Sequence, residues 1–266
     1  MSHFTHTTTA GDGARIAYRF DGDAGKPVLL LSNSIGTTLS MWDGEVEALG
    51  RHFHVLRYDT RGHGGSGVTP GAYSMDRLGR DVIELLDALK IERAHFLGLS
   101  LGGFIGQWLG VHAPERIDRL VLANTSSWLG PASVFDERIA GVLAAPDMKE
   151  TAEGFLRNWF PERLLIENGP VVQALRQVLL EIDPQGLAGA LAAVRDADLR
   201  RPIALIERPT LVIAGEFDPV TAASHGELIA ATVPGARLLT LPAVHLSNVE
   251  FPKEFVGAVV DFLEGR

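Results

Sequence analysis

Residues 94–103 read AHFLGLSLGG, a short apolar run of strand type that breaks into a glycine cluster and sets one hydroxyl, Ser100, between Gly98 and Gly102. The pattern is G-x-S-x-G. A serine on a sharp strand-to-helix turn has a strained backbone, and side chains two residues to either side would collide there, so glycine is needed at both places. The turn pushes the serine oxygen out of the sheet. It leaves the backbone N–H of Leu101 at the start of the next helix, facing any negative charge that develops beside Ser100. Five residues of this kind recur by chance in turns, so the context decides. The following FIGQWLG (residues 104–110) reads as a buried helix with Leu101, Ile105, Trp108 and Leu109 on one face. Ser100 is therefore the candidate nucleophile.

Working outward, residues 28–31 form a buried apolar strand after the turn GDAGKP, and a half-exposed strand precedes it at residues 15–20. The segment SNSIGTT (residues 32–38) follows the buried strand. It is either a plain connection or a loop whose amide N–H groups face the site; the residues alone leave both open. HVLRYD ends the next strand, and TRGHGGSG (residues 60–67) makes a glycine-rich turn. Phosphate binding is not expected of it, because G-x-G-x-x-G is not matched and no lysine follows. Asp59, Arg61 and His63 read instead as a charge-linked loop near the site. Leu78, Val82, Leu85, Leu86 and Leu89 then recur at helical spacing before the elbow strand, and residues 117–123 give another strand. Strand, helix, strand implies right-handed crossovers and a mostly parallel sheet.

The texture changes over residues 124–200. Phe135, Ile139, Val142 and Leu143 predict one helix, Phe155, Leu156 and Trp159 a second, residues 171–182 a third, and Leu187, Leu191 and Val194 a fourth, with no strand between them. The expectation is an all-helical cap at 124–200, inserted into an α/β core made of residues 1–123 and 201–266. The sheet resumes at residues 210–214, which end in GEFDPVT. A helix near residues 227–231 leads to a strand at 237–241, and PAVHLSN stands at its end. The last helix buries Phe255, Val259, Phe262 and Leu263.

Composition narrows the function classes. With 266 residues, 46% of them hydrophobic and 21% charged, the chain can bury a large core as an ordinary globular protein. A net charge of −9 and no basic stripe argue against a nucleic-acid partner, and an anionic substrate would need a local arginine. The absence of cysteine excludes disulfides, thiolate catalysis and cysteine-held metals. The polar start MSHFTHTTTAGDG has no apolar signal segment and no run reaches the length of a membrane span, so the expected location is the cytoplasm, away from membranes. Oligomeric state is left open.

A serine nucleophile needs a base, and the base an orienting acid. Of nine histidines, His245 lies beyond a late strand and before the last helix, where it can reach back to the elbow. His225 competes for Asp218 but falls on a surface helix. Among acids, Asp218 is preferred to Glu216, because Pro219 stiffens the turn after it and the shorter side chain suits a fixed contact. The order Ser100, Asp218, His245 runs across three strand ends. No metal or cofactor is required.

With these residues placed, the chain resembles the α/β-hydrolases, and among them the 3-oxoadipate enol-lactonases of the β-ketoadipate pathway of aromatic catabolism. The resemblance spans nearly the whole length. It rests on LSNSIGTTLSMWD, LRYDTRGHG, AHFLGLSLGGFIGQWLG, NWF, AAVRDADLR and PAVHLSNVE. Many hydrolases of this fold carry His-Gly before the oxyanion residue, whereas Asn33 and Ser34 stand here as in the enol-lactonases. The resemblance implies Ser100, Asp218 and His245 as the triad, the N–H groups of Ile35 and Leu101 as oxyanion donors, and Ser34 at the substrate site. It implies hydrolysis of a small lactone carrying an acetate arm, through an acyl-enzyme; with the chain ending soon after its last helix, the fused decarboxylase domain of some relatives is not expected. Arg138 and Arg195 are the candidates for the substrate carboxylate, since a guanidinium suits that group. Trp128 and Trp159 are candidate apolar walls. The rival readings are a carboxylesterase or C–C bond hydrolase on the same scaffold, or a receptor that keeps the fold.

Overall fold

The computed structural model describes residues 5–266, so the first four residues of the polar start lie outside the described part. An eight-stranded sheet organises the chain: β1 (His6–Thr9), β2 (Arg15–Asp21), β3 (Val28–Ser32), β4 (His54–Tyr58), β5 (Ala94–Leu99), β6 (Ile117–Ala123), β7 (Thr210–Gly215) and β8 (Arg237–Leu241), in the order β1-β2-β4-β3-β5-β6-β7-β8. Only β2, paired with β1 and β4, runs antiparallel to its neighbours; from β4 to β8 every pairing is parallel. The central strands read as unbroken apolar runs because helices cover both faces of the sheet. Leu29, Leu31, Leu97 and Val121 feed one core cluster, and Leu30, Phe96, Leu120 and Leu122 the other.

The helices of the first half are α1 (Val46–Gly50), α2 (Met75–Ala88) and α3 (Leu101–His112). Ser74 caps α2, its side chain accepting from the Arg77 N–H, and Leu78, Val82, Leu85 and Leu86 form the buried stripe that the periodicity predicts. Helix α3 is the buried helix that the sequence predicts, and it is buried on every side, with every residue from Leu101 to Gly110 out of solvent. The reason is its place: it packs on β5 and β6 at one side and on α2 at the other. Gly79 of α2 permits that approach, since a Cβ there would sit 2.0 Å from the Trp108 ring.

Between β6 and β7 stand five helices, α4 (Ala132–Ala144), α5 (Lys149–Trp159), α6 (Glu162–Glu167), α7 (Pro170–Glu181) and α8 (Pro184–Asp196). The sequence pattern predicts four. The extra one, α6, has six residues, too few to show a period, though Pro161 before it and left-handed Asn168 after it mark its ends. One antiparallel bridge, Trp128 to Asp198, closes the neck of the insertion where no strand pairing is expected. Helix α4 packs on α8, and α5 on α7. The chain ends with α9 (Ala223–Thr232), α10 (Ser247–Glu250) and α11 (Pro252–Leu263). Among the described residues no helix is long and apolar enough to cross a membrane.

Candidate active site

The parallel register lines up the carboxyl ends of five strands. Ser32 pairs with Gly98, Leu99 with Ala123, Ala123 with Ile213, and Gly215 with Leu241. The loops leaving these ends carry Ile35, Ser100, Asn124, Asp218 and His245, which therefore gather along one edge.

Ser100 caps α3 at φ 58°, ψ −113°, a conformation that L-residues avoid. Its surroundings enforce it. The Ser100 N–H donates to the Ala123 carbonyl (2.9 Å), its own carbonyl accepts from Thr125 Oγ1 (2.7 Å), and the Gly102 N–H donates to the Asn33 carbonyl (3.0 Å). A Cβ at Gly98 would lie 2.1 Å from the Gly102 carbonyl oxygen, and one at Gly102 would lie 2.2 Å from that of Ser32. Backbone, not a flexible side chain, fills both places, so glycine is required. Leu101 opens α3, where helical N–H groups have no partner within the helix.

His245 is buried, and its Nδ1–H donates to Asp218 Oδ2 at 2.8 Å. The bond sets the tautomer: Nε2 keeps its lone pair. Asp218 is held on every side. Oδ1 accepts from the Val220 and Thr221 N–H groups (2.8 and 3.0 Å), and Oδ2 also accepts from Thr221 Oγ1 (2.7 Å) and Asn124 Nδ2 (3.1 Å). Burial alone would raise this carboxyl, but the His245 charge and hydrogen bond, with those from Thr221, outweigh it and hold the acid below its ordinary value.

Of the rivals, His225 lies on α9 with its Nδ1 hydrogen-bonded to Ser126 Oγ, and burial lowers its pKa. Glu216 is exposed. Asn124 is a residue that sequence reasoning uses only to mark the start of the insertion. It stands at φ 41°, donates to Asp218 Oδ2 and the Val244 carbonyl, and accepts from Ser247 Oγ, tying the acid to both sides of His245. Its one sequence signal is its place directly after an apolar strand.

Above this edge lies a cavity of about 440 Å³. Ser100, Leu101, His245 and Ile35 line it at the sheet; Phe104, Leu129, Phe135, Phe155, Trp159 and Leu191 supply apolar wall; Arg138, Glu150, Thr151 and Asn158 add polar groups from α4 and α5. The structure thus brings Arg138 and Trp159 to the cavity. It does not bring Arg195, Trp128 or Ser34 there. Arg195 is bound to Asp136 and Asp196, and Trp128 lies at the neck of the insertion beneath the Arg200 guanidinium (4.4 Å). Ser34 is buried behind Ile35, its carbonyl accepting from the Thr37 N–H and Oγ1, its own Oγ without a protein partner. Asn33 has a framing part: Nδ2 donates to the Tyr58 carbonyl and Oδ1 accepts from Trp42 Nε1, both at 2.8 Å.

A mostly parallel sheet with a serine elbow after β5, an acid after β7 and a histidine after β8 is the architecture of an α/β hydrolase, and residues 27–252 match the family model for the alpha/beta hydrolase fold. The chain belongs to that family and is a hydrolase of this fold. Within it, the chain is 39% identical to 3-oxoadipate enol-lactonase 2 of Acinetobacter baylyi, over 97% of this chain and 96% of the relative. Among solved structures it is similar to a hydrolase from Pseudomonas aeruginosa PA01 (TM-score 0.98, 65% identity, all of both chains). It is also similar to the enol-lactonase from Burkholderia xenovorans LB400 (TM-score 0.94, 39% identity, 97% of this chain and 100% of that one).

Proposed function

We propose that this hydrolase opens 3-oxoadipate enol-lactone to 3-oxoadipate by a Ser100–His245–Asp218 triad. The observation that carries this reading is that Ser100 and His245 line one cavity that Arg138 also lines, in a chain alike over its length to proteins named enol-lactonases. Ser100 Oγ attacks the lactone carbonyl while His245 Nε2 takes its proton. The oxyanion is held by the N–H groups of Leu101 and Ile35, each such donor being typically worth about 100- to 1,000-fold in rate. Collapse breaks the ring C–O bond and expels an enolate, which takes the proton back from His245 and tautomerises to the ketone, opposing reclosure. Water, deprotonated by His245, then cleaves the acyl-serine ester. Asp218 orients the imidazole and stabilises its cation throughout.

Arg138 pairs with the substrate's carboxylate, and residues 124–200 act as the cap over the core of 1–123 and 201–266. The proposed setting is aromatic catabolism in the cytoplasm, the context that the enol-lactonase resemblance implies. Freshly generated enol-lactone, followed by its ultraviolet absorbance, tests the reading: fast loss with wild type and none above the spontaneous rate with Ser100→Ala is expected. Wild type at the spontaneous rate would defeat it. The largely apolar wall favours a second reading, a carboxylesterase of neutral substrates, which a marked preference for aryl esters over the lactone would support.

A further inference from the structure

The loop after β3 is shaped from outside. Ile35 and Gly36 are the central residues of a four-residue turn closed by the Thr37 N–H on the Ser34 carbonyl (3.2 Å), and Gly36 has φ 80°. That is the value required at the third position of a type II turn. The plane of the central peptide is what separates type II from type I, and the closing hydrogen bond does not determine it. The Gly36 N–H belongs to that plane, and it donates to His63 Nε2 at 3.0 Å.

His63 sits on the glycine-rich loop after β4 and is 2% exposed. Its Nδ1–H donates to the Arg61 carbonyl (3.1 Å), which leaves the Nε2 lone pair for Gly36. Burial pushes the imidazole down to about 4, against the pull of that carbonyl, so the ring is neutral when it accepts. The charged groups around it are otherwise engaged or stand across a cleft. Asp59 accepts from the N–H groups of Leu39 (2.7 Å) and Gly65 (2.8 Å), Arg61 is paired with Asp81, and Glu181 and Asp183 line the small cleft beside the ring. Asp59 thereby ties the far end of the β3 loop to the same glycine-rich loop. On the other side of the turn, a Cβ at Gly36 would come within 3.0 Å of the Leu179 side chain of α7.

We propose that His63 is a positioning residue for the hydrolase reaction: by accepting from Gly36 it holds the turn from which the Ile35 N–H is aimed at the oxyanion. The proposal rests on the oxyanion role given to Ile35 above. A neutral imidazole buried against a backbone amide is a rigid acceptor, and preorganised donors act without reorganising as charge develops.

Three variants test it. His63→Leu removes the acceptor, His63→Gln places an amide oxygen near the position of Nε2, and His63→Asn offers an oxygen that stops short of Gly36. Each is assayed with the enol-lactone and with p-nitrophenyl acetate, titrated with phenylboronic acid as a mimic of the tetrahedral adduct, and melted by circular dichroism. The leucine variant is expected to lose roughly tenfold in kcat on both substrates, with KM within about twofold and phenylboronic acid weakened in step, while glutamine recovers most of the loss. A folded leucine variant with wild-type kcat overturns the proposal, and so does a slowed variant with unchanged boronate affinity. If the leucine variant does not fold, the amides decide: lower kcat for asparagine than for glutamine at equal KM supports it, and equal kcat overturns it. If wild type is inactive on the lactone while the variants show these effects on the aryl ester, the substrate reading is defeated and the positioning proposal stands.

Discussion

Asn124 shows how much one side chain can join. It donates to Asp218 and to the carbonyl before His245, and it accepts from Ser247, so three loops meet on one amide. Asn124→Ala leaves Asp218 Oδ2 with two of its three partners. A hydrogen bond to a charged group contributes about 1.5–3 kcal/mol, so kcat is expected to fall at least about tenfold with KM little changed, as steady-state kinetics on the lactone would show. Glu45 poses the opposite case. It is buried and makes no ion pair among the described residues, and burial, against the pull of Asn248 and the Arg57 charge, raises its carboxyl to about 7. An acid whose folded pKa exceeds its unfolded value binds its proton more tightly in the native state. Its favourable share is complete below the unfolded value near 4.3 and is lost as pH rises through about 7. Keeping it ionised in the fold costs on the order of 3 kcal/mol. Glu45→Gln should therefore raise the melting temperature by several degrees at pH 8 and leave it nearly unchanged at pH 4; an equal effect at both would show that ionisation is not the cause.

At the scale of elements, the insertion meets the rest of the chain at a glycine-to-glycine contact. A Cβ on Gly186, in the first turn of α8, would lie 2.2 Å from the Gly62 carbonyl oxygen, and one on Gly62 would lie 2.6 Å from the Gly186 Cα. The Tyr73 N–H donates to the Gly189 carbonyl one turn further along (3.1 Å). Helix α8 is thus seated on the same glycine-rich loop that carries His63. Gly186→Ala forces backbone apart at that seat and should cost about 1–3 kcal/mol, measured as a lower urea midpoint, with faster proteolysis between α7 and α8. An unchanged midpoint and cleavage rate would mean that the seat yields freely.

The whole molecule carries a net charge of −9, and that field opposes the approach of an anionic lactone. Arg138, exposed at the cavity wall, is the local exception. Raising ionic strength from about 0.01 to 0.1 M shortens the screening length from about 30 to about 10 Å. The expected result is a rise in kcat/KM for the lactone with no change for a neutral aryl ester. Arg138→Ala should raise KM for the lactone several-fold and spare the ester; a variant with unaltered KM would remove Arg138 from the substrate site.

The serine elbow, the parallel sheet, the helical texture of residues 124–200 and the order Ser100, Asp218, His245 are legible along the chain, because each depends on local periodicity or on backbone demands within a few residues. That Asp218 and His245 meet, at 2.8 Å, is a matter of β7 and β8 lying parallel in register. Sequence could not separate Arg138 from Arg195, or Trp159 from Trp128, since all four fall within residues 124–200 and have the right chemistry. Their places in the fold differ: Arg195 turns to Asp136 and Trp128 pairs with Asp198, while Arg138 and Trp159 line the cavity. The parts of Asn124 and His63 were hidden for the same reason. Each acts on residues distant in the chain, Asn124 on Asp218 and His63 on Gly36, and contacts of that kind leave no period in the sequence. They exist only once the strand ends have been brought side by side.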